Sequence, residues 1–529
     1  MLVELAVVAF GIILVYSYFS ARNSVFKRLG VVGPEPKLFT GNLTQLRSQP
    51  APFQLRDWTR QYGSVYGYFE GARPVLVTSD LDVLQDVFVK KFANFHARKE
   101  FVLAPDPDKA ENVSVLQARG ARWKRLRSIM SPSFSSAKLR QLLPTVTDSV
   151  DTLMEVFDKK ARLAEQFDIH KHFQELTMDV IAKVAFAEQR NFIGIPESQN
   201  PYLAKARRIF ETTTLRHVIL LFLANCLYEL RMVIPAIIWF LETFVRQSAA
   251  DGLRQKLTKV VDERRQTKSE YQGRPDFIQL FLNAEADPSD HFDHQNLQAF
   301  EALRPEAVKF LRHLAPGEIV SNCTLFLLAG FDTTSNALSY CAHLLATNAD
   351  YQERLRDEIR SHWDEEVLSL QGTPSVEQLR GMTLMENVIM ETLRLYPLAS
   401  IGNSRLCMSA CEVGGRVRVP AGVTVSADVW SVHYDESVWG EDAAQFRPER
   451  FEESQSRTRH PLAWQPFGAG PRLCIGKRFA LLEMKILLCK LLTRFRLHVC
   501  DKTQDPLELQ FHQITVSPKA VYVTLESLR

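Results

Sequence analysis

Apolar positions along the chain follow three different patterns. Residues 5–19 are almost wholly apolar. From about residue 120 to 400, apolar residues recur at the spacing of amphipathic helices, with long runs over 319–345 and 386–396. Short segments of strand-like composition at 65–69 and 74–78, and others near 411–427 and 508–527, are separated by turn residues. The pattern predicts a mostly α fold with a small β region.

The N-terminal apolar segment is predicted to be a transmembrane signal anchor. Leu2 to Ala21 supplies about 20 residues, enough to span a bilayer. A cleaved signal peptide is the alternative, but the start carries Glu4 instead of basic residues, and no small-residue cleavage site follows. Basic residues at 22, 27 and 28 predict a cytoplasmic location for the rest of the chain. The predicted organisation is an anchor at 1–21, a basic and proline-containing hinge at 22–36, and one domain at 37–529.

Composition narrows the class of protein. A length of 529 residues alone would suggest several domains, but the motifs described below, between Trp123 and Gly476, fit one site. A net charge of +3 is too small to indicate nucleic-acid binding. The eight cysteines show no paired framework, which is typical of a reduced, cytosol-facing protein.

Two further segments stand out by composition. Residues 217–244 are strongly apolar, but charged residues and a proline interrupt them, which argues against a second membrane span and leaves a core segment or a membrane-contacting surface. Residues 284–316 form a polar insertion. Its histidines, His291, His294 and His313, fit no compact metal-ligand spacing, so we interpret them as solvated.

Cys474 lies in the run Phe467-Gly-Ala-Gly-Pro-Arg-Leu-Cys-Ile-Gly476, directly before an apolar helical pattern. Two glycines and a proline require a tight turn there. A cysteine at a helix start has amide N–H groups and the helix dipole to favour its thiolate form, and small neighbours would let a flat cofactor approach. The alternatives are a small core residue or a phosphate-binding loop, although no Gly-Lys-Ser/Thr arrangement follows.

Asp332 and Thr333 lie in Ala329-Gly-Phe-Asp-Thr-Thr334, inside the long apolar helix predicted over 319–345. A glycine and three polar side chains are unfavourable at such a place and need a reason. The hydroxyls could simply bond to preceding carbonyls and bend the helix. Alternatively, an acid and an alcohol beside a locally opened groove could bind dioxygen and deliver protons to it.

Charged residues at helical spacing form two further candidates. Glu391 and Arg394 are three residues apart in an apolar helix, and Arg450 follows in Phe446-Arg-Pro-Glu-Arg-Phe451. A solvated ion pair is the alternative. Trp123 and Arg127 lie one helical turn apart in Trp-Lys-Arg-Leu-Arg, which could equally be an exposed basic helix with a core tryptophan.

Together these motifs resemble the cytochrome P-450 superfamily of haem-thiolate monooxygenases, over nearly the whole chain. The resemblance implies the P-450 fold and haem b (iron protoporphyrin IX), with Cys474 as the axial iron ligand inside the loop from Phe467 to Gly476. It further implies that haem propionates bind Trp123, Arg127, Arg472 and Arg405, with Arg98 as a weaker candidate. Glu391, Arg394 and Arg450 would brace the core beneath the haem, and Asp332 and Thr333 would deliver protons.

The resemblance also implies an activity and its partners. We expect one atom of O₂ to be inserted into a lipophilic small molecule, with electrons from NADPH through NADPH-cytochrome P-450 reductase and a possible contribution from cytochrome b5. The expected location is the endoplasmic reticulum membrane. Substrate-pocket candidates are Val113, Phe326, Ala329, Ala399, Ile401 and Val516. A basic surface for the reductase would comprise Lys124, Arg125, Lys138, Lys477, Arg478 and Lys485.

Locally, Trp123–Phe134 and Ala329–Thr334 are similar to the branch of drug- and steroid-oxidising family-three enzymes and thromboxane synthase. The segment before Trp123 departs from that branch, because Arg119 and Arg122 make it basic. Two alternative functions remain: a haem-thiolate isomerase of lipid endoperoxides, for which the Asp332-Thr333 pair is not required, and a non-catalytic haem sensor. Neither the substrate nor its site of oxidation can be read from the sequence.

Overall fold

A computed structural model describes residues 2–102, 106–211, 215–226, 228, 249–267, 276–284, 313–363, 372, 374–512 and 515–528. Most of the polar insertion at 284–316, with His291 and His294, lies outside the described residues. So does the second half of the apolar segment at 217–244, including the charged residues and proline that interrupt it. Those two predictions are therefore not addressed by the structure.

Helices make up most of the described chain, as the sequence pattern predicts. In chain order they are α1 Leu2–Asn23, α2 Val25–Arg28, α3 Leu43–Leu46, α4 Ala51–Tyr62, α5 Leu81–Gln85, α6 Gly120–Met130, α7 Ser136–Arg162, α8 Ile169–Phe186, α9 Leu203–Glu211, α10 Leu215–Cys226, α11 Ala249–Gln266, α12 Phe277–Asn283, α13 Pro316–Thr347, α14 Ala349–His362, α15 Val376–Gly381, α16 Thr383–Leu395, α17 Val429–His433, α18 Glu436–Trp439, α19 Glu453–Ser456 and α20 Lys477–Arg494. A π-helical turn, Asp86–Lys90, follows α5. Among the 3₁₀ turns, Gly470–Arg472 is the one nearest Cys474.

The strands form small sheets around the helical body. They are β1 Val65–Glu70, β2 Arg73–Thr78, β3 Phe167–Asp168, β4 Ser404–Leu406, β5 Cys411–Val413, β6 Val417–Val419, β7 Thr424–Ala427, β8 Phe495–His498, β9 Leu509–Phe511, β10 Val516–Pro518 and β11 Tyr522–Ser527. The largest sheet has the order β1-β2-β7-β4, in which β2 and β7 are parallel and the other two pairs antiparallel. β3, β11 and β8 form a second sheet, and β9–β10 and β5–β6 are hairpins.

The long helix α13 runs through the centre of the largest apolar core and packs along α8. Gly330 lies at this crossing, where an added Cβ would come within 3.0 Å of Ile181 Cδ1. Close approach of the two helices is thus a packing reason for a glycine in mid-helix. The helix is continuous from Pro316 to Thr347, so the locally opened groove considered beside Asp332 does not break the helix.

Helix α1 is the part of the described chain that is long and apolar enough to cross a membrane, by length and composition. Its apolar side chains are exposed from Val3 to Tyr18 where they are described, because few residues of the body cover them. Phe19 and Phe39 stack edge-to-face with ring centroids 5.1 Å apart, which joins the end of α1 to the following segment.

Candidate functional site

The loop that carries Cys474 turns tightly because of two glycines with positive φ. Gly468 has φ +73° and Gly470 has φ +67°, and a Cβ on Gly470 would lie 1.9 Å from the carbonyl oxygen of Phe88. The amide of Cys474 donates to the carbonyl of Phe467 at 2.9 Å, which closes the loop. Helix α20 begins at Lys477, so Cys474 lies three residues before the helix and not at its first position.

Cys474 lies within the protein but borders open space. Its side chain borders a space large enough to hold water. Burial nevertheless has the largest effect on the pKa of the Cys474 thiol and raises it. The two observations agree if the thiol faces an internal cavity. The amides of Gly476 and Lys477 and the cations Arg127 and Arg98 act in the opposite direction, but burial outweighs them. The thiolate that we expected from the amides and the helix dipole therefore needs a further cation, such as a metal ion, to become the stable form.

Arginines cluster in the same space. Arg98 and Arg127 are close enough to interact electrostatically with the Cys474 thiol. Arg472 places its guanidinium over the ring of Trp123, with 4.7 Å from Cζ to the centroid, and donates to the carbonyls of Leu116 and Ala118. The structure thus brings together the predicted residues Trp123, Arg127 and Arg472 with the weaker candidate Arg98.

Arg405 completes this arginine cluster, which we define as Arg98, Arg127, Arg405 and Arg472. Arg405 is fully buried on β4, and its guanidinium lies 4.3 Å from the ring centroid of Phe88. Burial, then Arg98 and Arg472, hold its pKa well below the usual range. Burial, then Arg98 and Arg127, lower the pKa of Arg472 to about 8.

The arginine cluster fits a ligand with more than one negative charge. Within the described residues, no carboxylate forms an ion pair with any of its four members. The Nε atoms of Arg405 and Arg472 are buried without a hydrogen-bond partner. Buried cations that repel each other, and that have unused donors, are stabilised when they bind anionic oxygens. Two carboxylates of one ligand, bound beside an open thiol, match this donor set.

Beneath the loop, three charged residues form a fully buried network. Arg394 binds Glu391 in a bidentate manner, with Nε–Oε2 at 2.6 Å and Nη2–Oε1 at 2.8 Å. Arg450 Nε reaches Glu391 Oε1 at 3.3 Å. The other guanidinium hydrogens of Arg394 bind the carbonyls of His433 and Ala443, each at 2.7 Å, and of Gln445 at 3.3 Å. The solvated ion pair considered from the sequence is therefore excluded, because all three side chains are inaccessible.

His433 connects this network to the cysteine loop. The amide of Gln465 donates to His433 Nε2 at 3.0 Å, so the proton of the neutral ring is on Nδ1 and bonds to the carbonyl of Arg394 at 3.0 Å. Burial lowers the pKa of His433 to about 3 and keeps it neutral. Gln465 in turn accepts from Asn403 Nδ2 through its carbonyl at 3.1 Å. The loop is thus fixed on the side away from the thiol.

Asp332 and Thr333 lie on α13 with different surroundings. The Thr333 hydroxyl donates to the carbonyl of Ala329 at 2.7 Å, which is the back-bonding considered from the sequence. Asp332 is buried and accepts from Asn336 Nδ2 at 3.2 Å. Ala329 is exposed to open space although it lies in mid-helix with half-buried neighbours on both sides. The back-bond is therefore present, and Thr333, which is half-buried, remains available to a ligand in the space that Ala329 borders.

The predicted substrate-pocket residues do not share one environment. Val113, Phe326 and Val516 are buried, and Phe326 packs among the rings of Phe134, Phe277 and Phe281 with centroids 5.6–5.9 Å away. Ala329 borders open space and Ala399 is half-buried. Ile401 lies on a 3₁₀ turn, Ser400–Gly402, and its side chain is outside the described residues. Their role in substrate binding stays a prediction.

The predicted basic surface requires a correction. Arg125 and Lys485 are buried, and they bind Glu318 at 2.6 Å and Glu386 at 2.9 Å respectively. A charged side chain paired inside the protein cannot contribute to a docking surface. Lys124 and Arg478 are exposed, and Lys138 and Lys477 are half-buried, so the surface is smaller than expected.

The basic segment before Trp123 is also neutralised within the chain. Arg119 pairs with Glu100 at 2.7 Å and Asp108 at 2.5 Å, and Arg122 pairs with Glu318 at 2.9 Å. Glu318 was missed from the sequence because nothing near it in the chain indicates a partner. The same holds for Asn403, which lies beside Gly468. Arg98, which follows Asn94-Phe-His, was only a weak candidate for propionate binding from the sequence.

Comparisons with known proteins address the chain as a whole. The sequence model of the family described as Cytochrome P450 matches residues 31–525. A Caenorhabditis elegans protein named cytochrome P450 CYP13A3 is 37% identical over 527 residues, which cover 97% of this chain and 96% of the relative. Another from the same organism, named cytochrome P450 CYP13A2, is 38% identical over 528 residues and covers 98% of each. The similarity to the family is confirmed, and the narrower similarity to the thromboxane-synthase branch stays a prediction.

Proposed function

The chain belongs to the cytochrome P450 family of haem-iron monooxygenases, and from that premise we propose that it hydroxylates a lipophilic small molecule in the site around Cys474. The observation that carries the proposal is the combination of an open thiol and unpaired buried arginines in one internal space. That donor set suits an iron ion and the carboxylates of a porphyrin at the same time.

Each part of the site would hold one part of haem b. Cys474 would bind the iron through its sulfur, with the amides of Gly476 and Lys477 directed at that sulfur. The arginine cluster, together with Trp123, would bind the propionates. The buried network of Glu391, Arg394 and Arg450 would keep the loop in place through His433. When bound, a thiolate-ligated haem supplies O–O bond cleavage and oxidation of the substrate.

Asp332 and Thr333 would deliver the protons that the reaction consumes. Reduction of O₂ with insertion of one atom follows RH + O₂ + 2H⁺ + 2e⁻ → ROH + H₂O, so two protons must enter a largely apolar site. The Thr333 hydroxyl donates its proton to the carbonyl of Ala329, so its oxygen can accept a hydrogen bond from water. Asp332 is the adjacent acid and can pass protons to that water.

The substrate, the electron source and the location are proposed from composition and charge. Helix α1 is apolar enough to anchor the chain in a bilayer, where a lipophilic substrate concentrates. We assign electron delivery to NADPH-cytochrome P-450 reductase, with cytochrome b5 as a second donor, at a surface that includes Lys124 and Arg478. The endoplasmic reticulum membrane is the matching location.

Two measurements test the proposal. Wild-type protein reduced under carbon monoxide should show the red-shifted Soret band of a thiolate-bound haem. Cys474→Ser should lose that shift, while Cys500→Ser, which changes a half-buried cysteine elsewhere, should keep it. A normal shift in Cys474→Ser would refute the ligand assignment.

Turnover is the second measurement. With NADPH and the reductase, a lipophilic compound that displaces water from the iron should gain one ¹⁸O atom from ¹⁸O₂. Rearrangement of a lipid endoperoxide without NADPH, or no NADPH consumption with any of the compounds bound, would contradict the monooxygenase assignment.

A further inference from the structure

Lys477, the first residue of α20, is more enclosed than a docking surface requires. It follows Cys474 by three residues and is half-buried, whereas its neighbour Arg478 is exposed. The two side chains carry the same charge one position apart, so they separate an effect at the surface from an effect inside the protein. The contacts of Lys477 indicate an effect inside the protein.

Two aromatic rings hold the ammonium group of Lys477. Its Nζ atom lies 5.1 Å from the ring centroid of Trp464 and 5.6 Å from that of Phe467, so both rings are close enough for a cation–π interaction. The two ring centroids are 5.9 Å apart, and Trp464 is fixed because its Nε1–H donates to the carbonyl of Met390 at 3.0 Å. The cation therefore has a defined position.

This position is beside the thiol of Cys474. Phe467 begins the cysteine loop, and its carbonyl accepts from the amide of Cys474 at 2.9 Å, so the ring under the cation and the thiol belong to one closed turn. The backbone amide of Lys477 is directed at the Cys474 sulfur, and the ammonium group interacts with that sulfur electrostatically. Both the amide and the charge of Lys477 therefore favour negative charge on the sulfur.

In the part of the chain that the structure describes, no carboxylate forms a salt bridge with Lys477. Glu386 interacts with it electrostatically, but the salt bridge of Glu386 is with Lys485, at 2.9 Å. Arg98 and Arg127 also interact with the Cys474 sulfur, but the propionates of the proposed haem would offset their charges. The charge of Lys477 would therefore stay uncompensated when haem is bound.

A fixed cation at this place changes the energy of electron transfer. Reduction of the bound iron adds one electron, so the negative charge of the site grows by one unit. A cation nearby lowers the free energy of the reduced state more than that of the oxidised state, and the effect is largest where water is excluded. Burial lowers the pKa of Lys477, as expected for an ammonium group that is partly shielded from water.

We propose that Lys477 is a positioning residue that acts through Cys474: its fixed ammonium group stabilises negative charge on the sulfur and favours transfer of one electron from the redox partner to the iron, Fe³⁺ + e⁻ → Fe²⁺. The inference rests on the proposed function, because it needs Cys474 as the iron ligand. It gives Lys477 a role that does not depend on contact with the reductase.

Removal of the charge from the full-length, haem-bound protein tests the proposal. Lys477→Met removes the charge and keeps an unbranched side chain, and Lys477→Arg keeps the charge. Arg478→Met is the matched control, because it removes the same charge from the exposed neighbour. Lys477→Gln serves if Lys477→Met does not bind haem.

The reduction potential of the bound haem is the first readout. In a spectroscopic redox titration, Lys477→Met should lower the equilibrium constant for reduction at least about threefold, which corresponds to about 28 mV for one electron. Lys477→Arg and Arg478→Met should keep the wild-type potential. An unchanged potential in Lys477→Met, or an equal fall in Arg478→Met, would overturn the proposal and leave Lys477 a docking residue only.

Infrared spectroscopy of the reduced protein under carbon monoxide is the second readout, and it needs no turnover. Without the cation the sulfur donates more electron density, so the carbon monoxide stretching band should move to lower wavenumber in Lys477→Met and stay in place in Arg478→Met. A band that stays in place in both variants would contradict the proposal. If wild-type protein has the spectrum of a thiolate-bound haem but oxidises no compound, the proposed function fails, and the potentials still decide the role of Lys477.

Discussion

Gly470 and Gly415 have nearly the same backbone conformation but different surroundings. Their φ angles are +67° and +64°. A Cβ at Gly470 would lie 1.9 Å from the Phe88 carbonyl oxygen, while a Cβ at Gly415 meets nothing within 4 Å. The pair therefore separates the cost of a left-handed conformation from the cost of a steric clash beside Cys474.

We expect Gly415→Ala to lower the free energy of unfolding by about 1–2 kcal/mol, the cost of positive φ for a residue with a Cβ. Gly470→Ala adds a clash with a backbone atom that cannot rotate away, so it should lower stability by at least about 3 kcal/mol and reduce haem content. Urea unfolding and absorbance of the bound haem measure both effects. Equal stability of the two variants would show that the loop yields to the clash.

Glu391 binds both of the fully buried arginines, Arg394 and Arg450, in the network below the Cys474 loop. Glu391→Gln leaves the buried Arg394 without its carboxylate partner and leaves Arg450 with only the partly exposed Asp442, at 2.8 Å, which costs about 3–5 kcal/mol. The matched control is Glu453→Gln, whose partner Arg457 lies at 2.5 Å on the surface with both side chains exposed. That substitution should cost less than about 1 kcal/mol. Denaturant unfolding compares them, and similar values would contradict a bracing role for Glu391.

At the scale of elements, Glu318 ties three segments together. It lies in the first turn of α13, binds Arg122 and Arg125 of α6, and accepts from the amide of Ala315 at 3.0 Å. Arg122 also donates to carbonyls of the 107–111 segment. Because α6 carries Trp123 and Arg127, the position of two proposed haem contacts depends on this one carboxylate.

Glu318→Gln should therefore lower stability by about 3–5 kcal/mol, since the substitution removes the carboxylate that binds two buried guanidinium groups. Cleavage of the 106–119 segment by trypsin under native conditions should become faster. Glu377→Gln, which breaks an exposed pair with Arg140 at 3.4 Å, is the control and should change neither quantity appreciably. Unchanged proteolysis in Glu318→Gln would show that α6 is held by other contacts.

The elements differ in how well the sequence predicts them. The central helix was expected over 319–345 and spans Pro316–Thr347, because a long apolar run with a proline at its start defines a helix locally. The hairpin β1–β2 and the strands near 411–427 and 508–527 are also confirmed, because short runs of strand-forming residues between turn residues define them locally. The short strands β3 and β8 were not predicted, since their pairing with β11 depends on residues far away in the chain.

Partners far away in sequence also explain the errors in the site. Arg125 was placed on the surface because a charged residue in a basic helix usually is, yet its partner Glu318 is 193 positions away. The buried network of Glu391, Arg394 and Arg450, by contrast, could be predicted because it combines a local spacing of three residues with a family motif. What the sequence cannot show is which charged residues are buried, because that depends on how the elements pack.

At the scale of the whole molecule, buried histidines make the fold sensitive to acid. The pKa of His170 and of His433 is lowered from 6.5 to about 3, mainly by burial. The unfolded chain therefore binds more protons than the folded chain between these values, so stability is full above pH 6.5 and is lost as pH falls toward 3. His343 is lowered in the same direction by burial.

Each such histidine contributes a slope of about 1.4 kcal/mol per pH unit, so His170 and His433 together give about 3 kcal/mol per unit below pH 6. A domain of ordinary stability, about 5–15 kcal/mol, should therefore unfold a few pH units below neutrality. Guanidinium unfolding from pH 7.5 to 5 measures the slope. His433→Asn is less stable overall, but its slope should fall by about 1.4 kcal/mol per unit, because one titrating group is gone. A wild-type stability that stays constant from pH 6.5 to 5, or an unchanged slope in the variant, would show that these rings gain solvent or a counter-charge in the folded protein.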